Sequence, residues 1–192
     1  MRRILTCLLV LTSAAHADTT PLCKHCTLDV PAKHEGDLPL LVVLHGDRER
    51  ASAAAARWRA AAKQRGWAVL ALQCPADQGC KDSWWQWNGE PSWVLEQVTA
   101  VARTTPIDPS RIYLAGWSGG ATYIGMHAPV WTAMFAALVI HGGGHEPNAD
   151  CPTTSLPAYF LVGDRNPREM RDTADGVGVD GHGRALDFPS VA

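Results

Sequence analysis

Five short apolar runs, separated by helix-compatible sequence, restrict this chain more than any other feature. Leu40-Leu41-Val42-Val43-Leu44 runs into His45-Gly46, and residues 67–72 form a second run. Residues 111–115 lead into Gly116, 136–140 into His141 and a glycine cluster, and 158–162 into Gly163-Asp164. Continuous rather than alternating apolar character marks strands buried on both faces, as in a parallel sheet covered by helices. Between them, residues 50–64 are Ala-rich and helical in pattern, with Gly66 as a stop, and 91–103 read as a helix whose Ser92, Val94, Leu95 and Val98 fit a start with one apolar face. Alternation of strand and helix predicts an α/β fold: a doubly wound, mostly parallel sheet with flanking helices and right-handed crossovers.

Ligands of such sheets bind beyond the carboxyl ends of the strands. His45-Gly46-Asp47, residues 116–120, residues 141–145 and Gly163-Asp164 all fall there. The 192 residues, 46% hydrophobic and 19% charged, suffice for one core and one domain. A net charge of −2 offers no excess positive field, so nucleic acid is not an expected partner.

The first residues read as an export signal. Arg2 and Arg3 precede a mostly apolar stretch over 4–15, and Ala15-His16-Ala17 supplies small residues for cleavage after Ala17. The stretch is too short for a stable membrane anchor, which needs about 20 apolar residues. The expected mature domain is therefore residues 18–192, secreted or periplasmic. Cys7 leaves with the signal, and Cys23, Cys26, Cys74, Cys80 and Cys151 remain where disulfides persist. Cys23-Lys24-His25-Cys26 also has the spacing of half a zinc site or a redox pair, but no second half matches it, so structural disulfides are the preferred reading. Five is odd, which leaves one thiol free or paired between chains.

Gly116-Trp117-Ser118-Gly119-Gly120 fits G-x-S-x-G between an expected strand and an expected helix over 121–127. The spacing has a physical basis: a serine on a tight turn with positive φ presents its hydroxyl at the sheet edge, and small residues two places away let strand and helix approach. The same turn aims the Gly119 amide at the oxygen that becomes negative when a carbonyl is attacked. The loop after Leu44 offers a second donor, the amide of Asp47 or of Gly46.

Leu-Val-Val-Leu-His-Gly at 41–46, Ile-Tyr-Leu-Ala-Gly-Trp-Ser-Gly-Gly at 112–120 and Tyr-Phe-Leu-Val-Gly-Asp at 159–164 resemble the α/β-hydrolase superfamily, and within it secreted esterases similar to polyhydroxybutyrate depolymerases and feruloyl esterases. The resemblance covers about residues 39–164. It implies hydrolysis of a small or polymeric carboxylic ester through an acyl-enzyme, without cofactor or metal. The family's chain order makes Ser118 the nucleophile and Asp164 the acid that orients a histidine base. His182 is the one histidine after Asp164.

The interval to His182 is short for this pattern, with at most a brief helix over 168–174. If 186–188 begins the last strand, the catalytic histidine belongs beyond Ala192 and the chain is truncated, with an unpaired sheet edge that favours aggregation. His141 and His145 stand before the acid and fit pocket-shaping roles, and His45 fits a loop brace. Trp84, Trp85, Trp87 and Trp93 crowd residues 73–93, either as a hydrophobic cover for the sheet, the preferred reading, or as a stacking surface for substrate. Two alternatives stay open: a serine peptidase of the same fold, and a non-catalytic relative that binds an ester, polymer or partner.

Overall fold

The computed structural model describes residues 22–85, 89–145, 147 and 156–163. The signal segment, Trp87, Cys151, Asp164, residues 168–174, His182 and residues 186–188 lie outside them. Six strands, β1 (Thr27–Asp29), β2 (Leu38–Leu44), β3 (Ala68–Leu72), β4 (Ile107–Trp117), β5 (Ala137–His141) and β6 (Ala158–Leu161), form one sheet in the order β1-β3-β2-β4-β5-β6. All pairings are parallel except β1 with β3. The helices are α1 (Ala51–Arg65), α2 (Ser92–Thr104), α3 (Gly119–Met126) and α4 (Ala128–Trp131).

The five apolar runs became β2 to β6, and the expected mostly parallel α/β sheet is observed. β2 is buried along its whole length because it lies at the centre with layers on both faces. From β2 the chain steps one way to β3 and then back across to β4, β5 and β6. Right-handed crossovers taken in opposite directions place their helices on opposite faces, and the core divides accordingly. Leu41, Val43, Val69, Ala71 and Ala115 pack under α1 through Ala51, Ala54, Ala55 and Ala62. Leu40, Val42, Leu70, Leu114, Leu138 and Phe160 face the other way, in one cluster with Val94 and Val98 of α2 and Ala121 and Ile124 of α3. Alanine lets α1 sit close to the sheet. Gly66, at φ 69°, ends it: the Gly66 and Trp67 amides cap the Lys63 and Ala62 carbonyls.

Where β2 leads one way and β4 the other, the loops at their carboxyl ends diverge and leave a crevice. The β2 side of that crevice is anchored by His45, which is fully buried. Its Nε2 accepts the Cys74 amide at 3.0 Å, which fixes the proton on Nδ1, and Nδ1–H donates to the Gly46 carbonyl at 2.7 Å. The ring lies 5.0 Å from the buried Trp85. His45 is thus the loop brace its position suggested, and it ties the end of β2 to the end of β3. The tryptophan loop is structural where described: Trp85 and Trp93 are buried in the core, and the sulfurs of the Cys74–Cys80 disulfide lie 3.2 and 2.8 Å from the Trp84 carbonyl oxygen.

Truncating Leu114, fully buried at the sheet centre, is expected to cost about 2–5 kcal/mol. Gly66→Ala, at its left-handed cap, should cost about 1 kcal/mol. Urea unfolding of the two variants measures both. Burial also depresses the pKa of His45, His127 and His141. A histidine held neutral in the folded state gains a proton on unfolding once the pH drops below about 6.5. Stability is therefore expected to be full above that pH and to fall as the medium is acidified from there. A midpoint temperature that is flat from pH 7.5 to 5.5 would contradict this.

Candidate active site

Ser118 stands between β4 and α3 with φ 49° and ψ −115°, a conformation that costs a non-glycine residue of order 1–3 kcal/mol. Its surroundings hold it there. The Ser118 amide donates to the His141 carbonyl at 2.9 Å, and its own carbonyl accepts the Thr122 amide at 2.9 Å to start α3. Gly116 and Gly120 are required by close approach: a Cβ at Gly116 would lie 2.6 Å from the Ala121 nitrogen, and one at Gly120 would lie 2.6 Å from the His45 oxygen and 2.7 Å from that of Leu44. The Ser118 turn therefore rests directly on the end of β2. Gly143, from the loop after β5, passes so close to the Ser118 carbonyl that a side chain there would overlap it.

Asp47 and Gly119, the two expected oxyanion donors, are neighbours in space. A Cβ on Gly119 would fall within the Asp47 carboxylate. Asp47 Oδ1 accepts the Trp85 amide at 3.0 Å, so the same carboxylate that packs against Gly119 fastens the tryptophan loop. The Gly46 amide is already engaged, donating to Glu49 Oε2 at 3.1 Å, whereas the Asp47 and Gly119 amides find no acceptor among the described residues.

Three residues absent from the sequence reading complete the surroundings. Gln73 accepts the Ala51 amide through Oε1 at 3.0 Å and donates to Ser83 Oγ at 2.9 Å, linking the start of α1 to the tryptophan loop. Glu49 pairs with Arg57 through both guanidinium nitrogens, and the guanidinium lies over the Trp117 ring, 5.5 Å from its centroid. The Arg57 hydrogen bonds hold the Glu49 carboxyl below its usual pKa, reinforced by the Gly46 amide. Gln73 contacts partners tens of residues away, and Glu49 and Arg57 lie on opposite sides of a helix start, so neither arrangement leaves a local motif.

His141 reaches the site chiefly through its backbone. Its half-buried ring stands edge-on to Trp117 at 4.3 Å, and burial, aided by Arg57, lowers its pKa. His145 is exposed at the same edge. β6 ends at this edge too, and Asp164 follows Gly163 in sequence; with His182 it lies outside the described residues. The zinc reading of the Cys23 to Cys26 segment is corrected: these sulfurs are joined as a disulfide and so are not free thiolates. A cavity of about 1300 Å³ opens beside them at the carboxyl end of β3, lined among others by Arg50, Gln73, Ser83 and Trp93. Among the described residues, no helix is long and apolar enough to cross a membrane.

Among solved structures the chain is similar to a thermostable esterase, with a TM-score of 0.60 and 20% identity over 78% of this chain and 45% of that one. It is also similar to the acetyl xylan esterase from Aspergillus awamori, with a TM-score of 0.52 and 18% identity over 62% of this chain and 46% of that one. These likenesses establish the α/β-hydrolase fold. In sequence it is 27% identical over 179 residues to poly(3-hydroxyalkanoate) depolymerase C of Paucimonas lemoignei, covering 86% of this chain and 42% of the relative. The chain thus spans less than half the length of these relatives. With residues 26–172 matching the model of the Esterase PHB depolymerase family, the chain belongs to that family.

Proposed function

We propose that this protein is an exported esterase that uses Ser118 as its nucleophile. The observation that carries the reading is the Ser118 turn: a strained serine at the carboxyl edge of the sheet, with Asp47 packed against Gly119 and the amides of both without acceptors among the described residues. Strain at a sparsely populated φ/ψ persists where the surroundings enforce it, and such positions concentrate at active sites.

In this mechanism Ser118 Oγ attacks the ester carbonyl carbon while a histidine takes the hydroxyl proton. The carbonyl oxygen gains the negative charge and is held by the amides of Gly119 and Asp47, each removed donor of such a pair costing about 10²–10³ in rate. Collapse of the tetrahedral intermediate releases the alcohol, which takes the proton from the histidine. Water then attacks the acyl-Ser118 by the reverse sequence and frees the acid. By the order of family motifs His182 is the base and Asp164 its orienting acid. The depolymerase relative makes poly(3-hydroxyalkanoate) the first polymer to assay, beside short-chain soluble esters. Export is supported by the charged and apolar start of the chain and by two disulfides, which persist in oxidising compartments.

Hydrolysis of a short-chain nitrophenyl ester by the full chain is expected to fall by at least about 10⁴-fold in Ser118→Ala and in His182→Ala. The double variant should be no worse than either single one, because the two residues act as a unit. Retained activity in Ser118→Ala would remove the nucleophile assignment; retained activity in His182→Ala alone would move the base elsewhere. Gly120→Val, which places carbon atoms against the Leu44 and His45 carbonyls, is expected to abolish turnover with the serine still present. Reaction of Ser118 with a fluorophosphonate probe, read by mass spectrometry, should be lost in parallel.

A further inference from the structure

Resting on the reading of Ser118 as nucleophile, we infer that Glu49 and Arg57 are positioning residues that clamp the oxyanion loop to the nucleophile turn through Gly46 and Trp117. Glu49 Oε2 takes the Gly46 amide at 3.1 Å and an Arg57 N–H at 2.9 Å, and Oε1 takes the second guanidinium nitrogen. One carboxylate thereby joins the loop before α1 to the second turn of that helix. Arg57 then covers the face of Trp117, the residue immediately before Ser118. The Trp117 ring is fixed on its other sides: it meets the His141 ring edge-on at 4.3 Å, and Gly46 approaches so closely that a Cβ there would lie 2.7 Å from Trp117 Cδ1.

Two consequences follow for the oxyanion site. Glu49 holds both peptide planes of Gly46: its carboxylate takes the Gly46 amide in the His45–Gly46 plane, and its own amide donates at 3.0 Å to the Gly46 carbonyl, which shares a plane with the Asp47 amide. The stacked Arg57 sets the depth of Trp117, and the Ser118 turn moves with Trp117. The clamp spans β2, α1 and β4, the three elements whose ends bound the crevice. Its value is geometric. The side chains of Arg57 and Glu49 are 41% and 27% exposed, and ion pairs that open to solvent add little to stability. Arg57 contributes a planar fork and a stacking face, neither of which lysine supplies.

The test uses the full-length chain with four substitutions: Glu49→Ala, Glu49→Gln, Arg57→Ala and Arg57→Lys. Glu49→Ala and Arg57→Ala are expected to lower kcat for a nitrophenyl ester roughly tenfold, the scale of a small misplacement of catalytic groups, with KM within about twofold. Affinity for an alkyl boronic acid, which forms a tetrahedral adduct on the serine, should fall in proportion to kcat. Glu49→Gln keeps an acceptor for Gly46 and should recover part of the loss. Arg57→Lys keeps charge without fork or stack and should not. Amide hydrogen exchange over residues 44–49 and 116–120 is expected to quicken together in both alanine variants. Unchanged kcat and boronate affinity in Glu49→Ala, or exchange that quickens in only one segment, would overturn the clamp. So would activity lost only in step with the folded fraction. An inactive parent chain, or activity retained in Ser118→Ala, would instead count against the esterase reading, and the exchange comparison would still decide the clamp.

Discussion

The contact on which the site depends is the one between Gly120 and the end of β2. Backbone meets backbone there, with the Leu44 and His45 carbonyls where a side chain at Gly120 would have to be. The contact fixes how far α3 lies from the central strand, and with it the angle through which the chain must turn at Ser118. A longer loop would relieve the positive φ of the serine but would swing its hydroxyl away from the loop carrying Asp47. The strain is thus a consequence of bringing two strand ends within one backbone diameter. It is sustained by the core beneath: Leu44 and Leu114 are fully buried, and a fully buried core does not yield locally to relax one dihedral.

Topology explains why that contact lies between β2 and β4. These are adjacent parallel strands from which the chain leaves in opposite directions, so their loops part at the carboxyl edge of the sheet. Loops beside an open crevice need support from the sheet side, and a polar layer under the β2 loop provides it. Neutral His45 accepts from β3 and donates to Gly46, Gln73 joins the start of α1 to Ser83, and Asp47 holds the Trp85 amide. Each polar group in this layer has a partner, which is the condition for burying it without large cost.

The parts of the fold legible in the sequence were those with short-range signatures. The continuous apolar runs located five strands because burial on both faces removes polar alternation, and the serine turn was visible because steric closeness demands glycine at two fixed positions. β1 escaped because three half-buried residues pairing antiparallel to β3 carry no run. β4 begins four residues before its apolar run, since the exposed Pro109-Ser110-Arg111 segment interrupts the register between Ile107 and Ile112. The nearness of Asp47 and Gly119 was legible, both being adjacent to motifs. Gln73, Glu49 and Arg57 were not, because their partners are set by tertiary distance. Chain order alone proposed Asp164 and His182, and it carries no geometry.

The same division separates what the family likeness supplies from what this chain adds. A motif such as G-x-S-x-G is dictated by sterics that any serine turn of this kind must satisfy, so it recurs wherever the turn does. The residues that hold the neighbouring loop are under a weaker constraint, since many pairs of side chains can hold a loop at a given angle. Here the loop is held from two directions, by Asp47 on the tryptophan side and by Glu49 with Arg57 on the α1 side. Preorganised donors work by standing in place before charge develops. Two independent ties on a short loop leave its backbone few alternative positions.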